Sequence, residues 1–292
     1  MTALLALALQ KIFYMIEIGK YNKLRINRKT DHGLYLISES LEEVLLPNKY
    51  IPEDYSIDDY IDVFVYLDHE ERKVATTLEP KIKLDEFGFL QVSDVTPVGA
   101  FMDWGLEKEL MVPFKEQRQK MQPGRWYVVY MDFDVKTNRL FASNKIDKYL
   151  QNALLTINEG EEVDLLIYHI SDMGYSAIIN GQHRGLIYKD EVFRDLNVGD
   201  KTKGYIKKIR EDKKVDLTLQ PIGYENFNDK NAETIYNTLV NNGGFLPLSD
   251  KSKPEAIYDQ FGISKKAFKK ALGDLYKNRK ITIDSDGITL NR

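Results

Sequence analysis

Val98-Gly99-Ala100-Phe101-Met102, followed by Met111-Val112-Pro113-Phe114-Lys115, decides how this chain folds, because like residues stand 66 positions earlier. His32-Gly33-Leu34-Tyr35-Leu36 and Leu45-Leu46-Pro47-Asn48-Lys49 align with those two stretches without a gap. At the same offset Asp68 falls on Asp134, and Lys73-Val74-Ala75-Thr76-Thr77 falls on Arg139-Leu140-Phe141-Ala142-Ser143. Self-similarity at a fixed period marks a repeated structural unit. A looser third copy runs through Met173-Gly174-Tyr175-Ser176-Ala177, Gly185-Leu186-Ile187-Tyr188-Lys189, Val198-Gly199-Asp200 and Val215-Asp216-Leu217-Thr218-Leu219.

All three copies share one grammar. An alternating apolar strand precedes a strand with an internal glycine. A short strand then ends in Pro or Tyr, a polar and partly helical connection follows, and two strands close the unit. Alternation in Trp126-Tyr127-Val128-Val129-Tyr130 and Val163-Asp164-Leu165-Leu166-Ile167 favours strand over helix. Five short strands in a unit of this size predict a small closed barrel, which leaves no exposed edge. The glycine inside the second strand marks a sharp bend or bulge.

From residue 223 the pattern changes. Asn231 to Asn241 has helical spacing and stops at Asn242-Gly243-Gly244. Pro254 opens a short helix closed by Gly262, and Ser264 caps a longer one carrying Phe268, Leu272 and Leu275. Ile281-Thr282-Ile283 and Ile288-Thr289-Leu290 flank a turn and predict a hairpin. Three helices and a terminal hairpin make a winged helix. The expected organisation is an N-terminal extension over 1–15, barrels over 16–80, 81–145 and 159–222, a linker over 146–158, and a winged-helix domain over 223–292. Residues 3–9 are apolar but lack the flanks of an export signal. They read as an extension ahead of a natural start at Met15.

The chain has 292 residues and no Cys, which excludes disulfides, thiolate zinc sites and a cysteine nucleophile. No apolar run approaches the ~20 residues that span a bilayer. No phosphate loop, dinucleotide fingerprint or histidine pair at zinc spacing is present, so no enzyme, cofactor or metal site is expected. The net charge of −4 argues against a uniformly basic nucleic-acid binder, but it is unevenly spread. Residues 15–80 carry fourteen acidic and eight basic side chains.

Single strands are bound by aromatic faces beside cations. Tyr35 and Phe101 stand two residues after equivalent glycines, and Lys49 and Lys115 are likewise equivalent. Their strand positions leave a core role for both rings open. In the third unit Ser176 replaces the aromatic. Tyr188 with Lys189 offers a substitute pair, and Lys203, Tyr205 and Lys207 should share one strand face. On the last helix Lys265, Lys266, Lys269 and Lys270 fall on the exposed side, and Lys277, Arg279 and Lys280 follow. Lysine gives phosphate attraction with little base specificity.

The repeated unit resembles the S1 domain, an OB-fold barrel of RNA-binding proteins, through Val98-Gly99-Ala100-Phe101-Met102, Gly185-Leu186-Ile187-Tyr188 and Val198-Gly199-Asp200. Three such units before a winged helix resemble the bacterial conserved virulence factor B family. The run Gly262-Ile263-Ser264-Lys265-Lys266-Ala267-Phe268-Lys269-Lys270 is the most specific local match. The resemblance implies a mainly β chain of three tandem S1-like five-stranded barrels followed by a C-terminal α+β winged helix. It implies a cytoplasmic, non-enzymatic protein that binds single-stranded RNA in post-transcriptional or gene-expression control. Expected partners are single-stranded RNA and ribosomal or RNA-processing proteins, with no membrane and no small-molecule substrate. The ligand face would include Tyr35, Phe101 and Tyr188 with Lys49, Lys115 and Lys189. Pro47, Pro113 and Tyr188 stand where many S1 domains carry His. Two other functions remain open: a scaffold docking on ribosome, polymerase or nuclease, and a duplex-DNA regulator.

Overall fold

The computed structural model describes residues 15–192, 195–220 and 224–291. Apart from Met15, the expected N-terminal extension lies outside them. The chain divides into two compact units, one ending at Ile146 and one beginning at Asp147.

The first unit holds two five-stranded sheets. β1 (Lys20–Thr30), β2 (Gly33–Ile37), β3 (Glu43–Pro47), β4 (Tyr60–Leu67) and β5 (Lys73–Thr76) close into a barrel in the order β1-β2-β3-β5-β4. β6 (Phe87–Thr96), β7 (Gly99–Asp103), β8 (Leu110–Pro113), β9 (Trp126–Asp134) and β10 (Arg139–Ser143) repeat that order, but no ladder joins β8 to β10. The second copy is thus a five-stranded barrel of the same strand order whose closing edge carries no ladder. In the second unit β11 (Glu162–Ile170), β12 (Gly174–Ile179), β13 (His183–Tyr188), β14 (Lys201–Ile209) and β15 (Val215–Thr218) close in the first order again.

The repeated glycine has a steric cause. A Cβ on Gly33 would strike the carbonyl oxygen of Leu46, and one on Gly174 would strike that of Ile187. At Gly99 it would lie 2.6 Å from the carbonyl oxygen of Val112. The third strand thus runs across the glycine backbone at a distance that no other residue permits. A register shift recurs in the strand before it, at Ile26/Arg28, Val92/Asp94 and Ile167/His169. The extra residue turns the strand end without losing alternation, so Leu34, Leu36 and Leu46 fill the first core. Ala100, Met102 and Val112 do so in the second, and Ala177, Ile179 and Ile187 in the third.

The first two barrels share a core. Trp104, in the loop after β7, is 3% exposed and meets Phe64 and Tyr66 of β4 edge-on at 5.8 and 6.1 Å. Ion pairs ring this contact: Lys49 with Glu107, Lys108 and Arg139 with Glu71, and Lys20 with Asp85. Within the expected linker, residues 151–157 lie along the third barrel. Asn152 bonds the carbonyls of Arg184 and Lys213, and Ile157 enters the core. Buried His183 holds the same segment. Its Nδ1 lies 2.6 Å from the Gln151 carbonyl and its Nε2 2.9 Å from the Thr156 hydroxyl.

The winged helix has α1 (Tyr224–Asn241), β16 (Phe245–Leu246), α2 (Pro254–Phe261), α3 (Lys265–Lys277), β17 (Ile281–Ile283) and β18 (Ile288–Leu290). α1 begins seven residues earlier than its apolar spacing predicts, and β16 adds a third strand to the expected hairpin. The Ser264 hydroxyl accepts from the Ala267 N–H at 3.0 Å, and Gly262 ends α2 in the left-handed region at φ 65°. Ile235, Leu239, Ile257, Phe268, Leu272 and Ile288 form its core. Among the described residues no helix is long and apolar enough to cross a membrane.

Candidate nucleic-acid interface

Alternation sends the platform residues outward. Tyr35 lies half-buried between fully buried Leu34 and Leu36, and Phe101 lies half-buried between fully buried Ala100 and Met102. Both rings therefore sit on the barrel surface with their edges packed. They differ in what stands across the register shift.

Opposite Tyr35 is Arg28, whose guanidinium sits 3.9 Å from the ring centroid. Arg28 also pairs with Glu43 at 2.7 Å, and Asn27 donates to the same carboxylate at 2.9 Å. Those two hydrogen bonds, Arg28 first, hold the Glu43 carboxyl below its usual range. The Tyr35 face is thus already covered by a cation from its own sheet. Opposite Phe101 is Asp94, which turns back to accept from the Val95 N–H at 2.8 Å. On the same barrel Val98 is exposed at the hairpin tip, and Phe114 and Lys115 are exposed at the turn after β8. Phe114 is 44% exposed. The repeat alignment contained the signal for it, since Asn48, Phe114 and Lys189 share one position.

In the third barrel Ser176 faces His169. Tyr188 ends β13, and its hydroxyl accepts from Arg210. Asp216 grips Arg210 through Nε at 3.0 Å and the terminal nitrogen at 2.9 Å. This carboxylate raises the guanidinium's already high pKa further, so Arg210 is a fixed charge beside a ring. Arg210 lies just after β14, and its fork onto Asp216 forms when β14 and β15 pair. Tyr168 donates to Asp147 at 2.8 Å, and burial first, then that carboxylate, push its phenol up.

The expected lysines fall into two groups. Lys49 is bound to Glu107 of the second barrel and lies over Tyr50, so it serves the barrel contact. Its ammonium is raised chiefly by the Glu107 hydrogen bond. Lys203 pairs with Asp164 at 2.7 Å and Lys207 with Glu191. Lys115 and Lys189 are exposed at equivalent turns. On α3, Lys266, Lys269 and Lys270 are exposed and Lys265 is half-exposed, while Ala267, Phe268, Ala271, Leu272 and Leu275 are buried. Lys269 lies 3.9 Å from Asp250. The wing between β17 and β18 carries exposed Asp284, Ser285 and Asp286. Exposed ion pairs are weak, so Lys203 and Lys207 can exchange their carboxylates for phosphate. An acidic wing tip repels a duplex backbone.

Residues 18–78 match the S1 domain family, and residues 233–290 match the CvfB-like winged helix domain. The protein YitL of Bacillus subtilis (strain 168) is 30% identical over 90% of this chain and 90% of its own length. Conserved virulence factor B of Staphylococcus aureus (strain MRSA252) is 26% identical over 83% of this chain and 81% of that protein. A crystal structure from Streptococcus pneumoniae TIGR4, described as a multidomain protein with nucleic acid binding domains, is 26% identical. It covers 94% of this chain and 98% of its own, with a TM-score of 0.42. A barrel matched as S1, the repeat of its strand order and a terminal winged helix matched as CvfB-like, together with full-length relatives, place this chain in the conserved virulence factor B family.

Proposed function

We propose that this protein binds single-stranded RNA without catalysing a reaction and acts in cytoplasmic, post-transcriptional control of gene expression. The S1 and winged-helix domains support nucleic-acid binding in general. The observation that carries the single-strand reading is the half-buried Phe101 ring on the barrel surface, with exposed Phe114 and Lys115 on the same barrel. A ring face and a cation serve an unpaired base and its phosphate, whereas a duplex hides its base faces. Tyr188 with Arg210, and the lysines of α3, extend the cationic and aromatic surface in the second unit.

Fluorescence anisotropy with a labelled oligouridylate tests this reading. The Phe101→Ala/Phe114→Ala variant should bind at least tenfold more weakly, about the loss of one stacked base. Its melting temperature should stay near that of the wild type. Equal affinity for duplex DNA in competition would overturn the reading.

A scaffold role on a ribosomal or RNA-processing partner fits the first barrel specifically. That barrel is acidic, its Tyr35 ring is capped by Arg28, and its Lys49 is committed to Glu107. Capture of a partner by the full chain, lost on charge reversal in the first barrel with RNA affinity intact, would assign it.

A further inference from the structure

The outer face of β6 and β9 carries aromatic rings that the barrel does not require. Phe87 pairs across with Tyr130, Phe89 with Val128, and Gln91 with Trp126. Ring centroids of Phe87 and Tyr130 lie 4.8 Å apart, and those of Phe89 and Trp126 5.3 Å apart. Trp126 is 47% exposed, while Val128 in the middle rung is buried.

The repeats provide the comparison. The same three rungs in the first barrel are Tyr21/Phe64, Lys23/Asp62 and Arg25/Tyr60, and Trp104 seals the first of them. In the third barrel they are Glu162/Tyr205, Asp164/Lys203 and Leu166/Lys201. There a 2.8 Å hydrogen bond joins Tyr205 to Glu162, and an ion pair joins Lys203 to Asp164. One ladder is thus built from polar rungs, from an aromatic rung sealed by Trp104, and from aromatic rungs that leave Trp126 exposed. Barrel formation does not explain the last.

The segment entering Trp126 is basic. Residues 118–125 carry Arg118, Lys120 and Arg125 and no acidic residue, and all three cations are exposed. The segment is ordered by its own bonds. Buried Gln117 accepts from the Met121 N–H at 3.1 Å and donates to the Val112 carbonyl at 3.0 Å. The Gly124 N–H donates to the Val92 carbonyl at 2.7 Å, and its carbonyl accepts from the Gln91 amide at 3.0 Å. The last bond ties the basic segment to the rung that bears Trp126.

A single strand needs ring faces and cations together, and here a basic segment runs directly into the exposed Trp126. We infer that the β6–β9 face, with residues 118–125, is a second stacking track for an unpaired nucleic-acid strand, separate from the Phe101 strip. The inference rests on the single-strand reading above and adds a surface to it.

The test uses the full chain and a labelled oligouridylate. Binding should quench the indole emission of exposed Trp126. The Phe89→Thr/Trp126→Thr variant should bind at least tenfold more weakly while melting like the wild type. Should that variant misfold, Arg118→Glu/Lys120→Glu/Arg125→Glu leaves the strands untouched and should lose affinity to a similar degree. Unchanged affinity in the face variant, with Phe101→Ala still weakening binding, overturns this track and spares the single-strand reading. No binding by the wild type overturns both. Loss of self-association in sedimentation velocity with RNA affinity unchanged gives the face to a second copy and overturns the track.

Discussion

Arg28 and Asp94 occupy one position in two copies of the same barrel, and they set opposite conditions for the ring across from them. An incoming base must compete with the Arg28 guanidinium for the Tyr35 face, but it finds Phe101 open. Tyr35→Ala should therefore weaken RNA binding less than Phe101→Ala, a difference that anisotropy titrations of the two variants would resolve. Glycine positions act on stability instead. Alanine at Gly33 must push away the Leu46 carbonyl, which belongs to the neighbouring strand and cannot swing aside. Gly33→Ala should cost about 1–3 kcal/mol, read as a shift in the urea midpoint. These glycines were legible in the sequence because one steric demand recurs at each repeat. The partner of Lys49 was not, since Glu107 belongs to another barrel 58 residues along the chain. Arg210 and Asp216 are local neighbours across one turn, but their fork depends on the register of that hairpin.

At the scale of elements, α3 separates cleanly into a buried apolar side and an exposed lysine side. Its start was legible from Ser264, and its lysines from helical spacing. The start of α1 was not, because residues 224–230 offer almost no apolar period to read. The register shift in β1, β6 and β11 also left no signature, as Arg28, Asp94 and His169 share no chemistry. If α3 contacts phosphate, reversing Lys265, Lys266, Lys269 and Lys270 to Glu should weaken binding to every sequence. The slope of log affinity against log salt should fall by about 0.7 for each lysine that met a phosphate. An unchanged slope would remove α3 from the interface.

The whole molecule contains two compact units, and the first is a pair of barrels joined by Trp104 and a ring of ion pairs. The count of repeats was legible in the sequence, but this joint was not, since Trp104 has no counterpart in the other copies. The joint has a pH dependence. Lys49 of the first barrel holds the Glu107 carboxyl of the second below its ordinary 4.5, and within the second barrel Lys81 together with the Gly105 N–H holds Asp103, next to Trp104, below 3.8. Groups with lowered folded values stabilise the fold above their ordinary values and lose that effect as pH falls through the lowered ones. The first unit should thus weaken as pH drops below about 4.5. Both tryptophans of the chain lie in this unit, so indole fluorescence during urea unfolding reports on it alone. A midpoint independent of pH between 5 and 3 would show that these pairs contribute nothing to the joint.

The shared core also imposes an order of events on the ribosome. β4 is made before Trp104, so Phe64 and Tyr66 leave the exit tunnel without the indole that later packs on them. From the end of β5 to the end of β10 the ribosome adds roughly 70 residues, which takes about 3–14 s at typical rates of synthesis. Throughout that interval the nascent first barrel displays two aromatic rings that lack their Trp104 partner. Its sticky phase ends when the second barrel arrives, so a pause in translation between Thr76 and Trp104 prolongs the time in which newly made chains can aggregate.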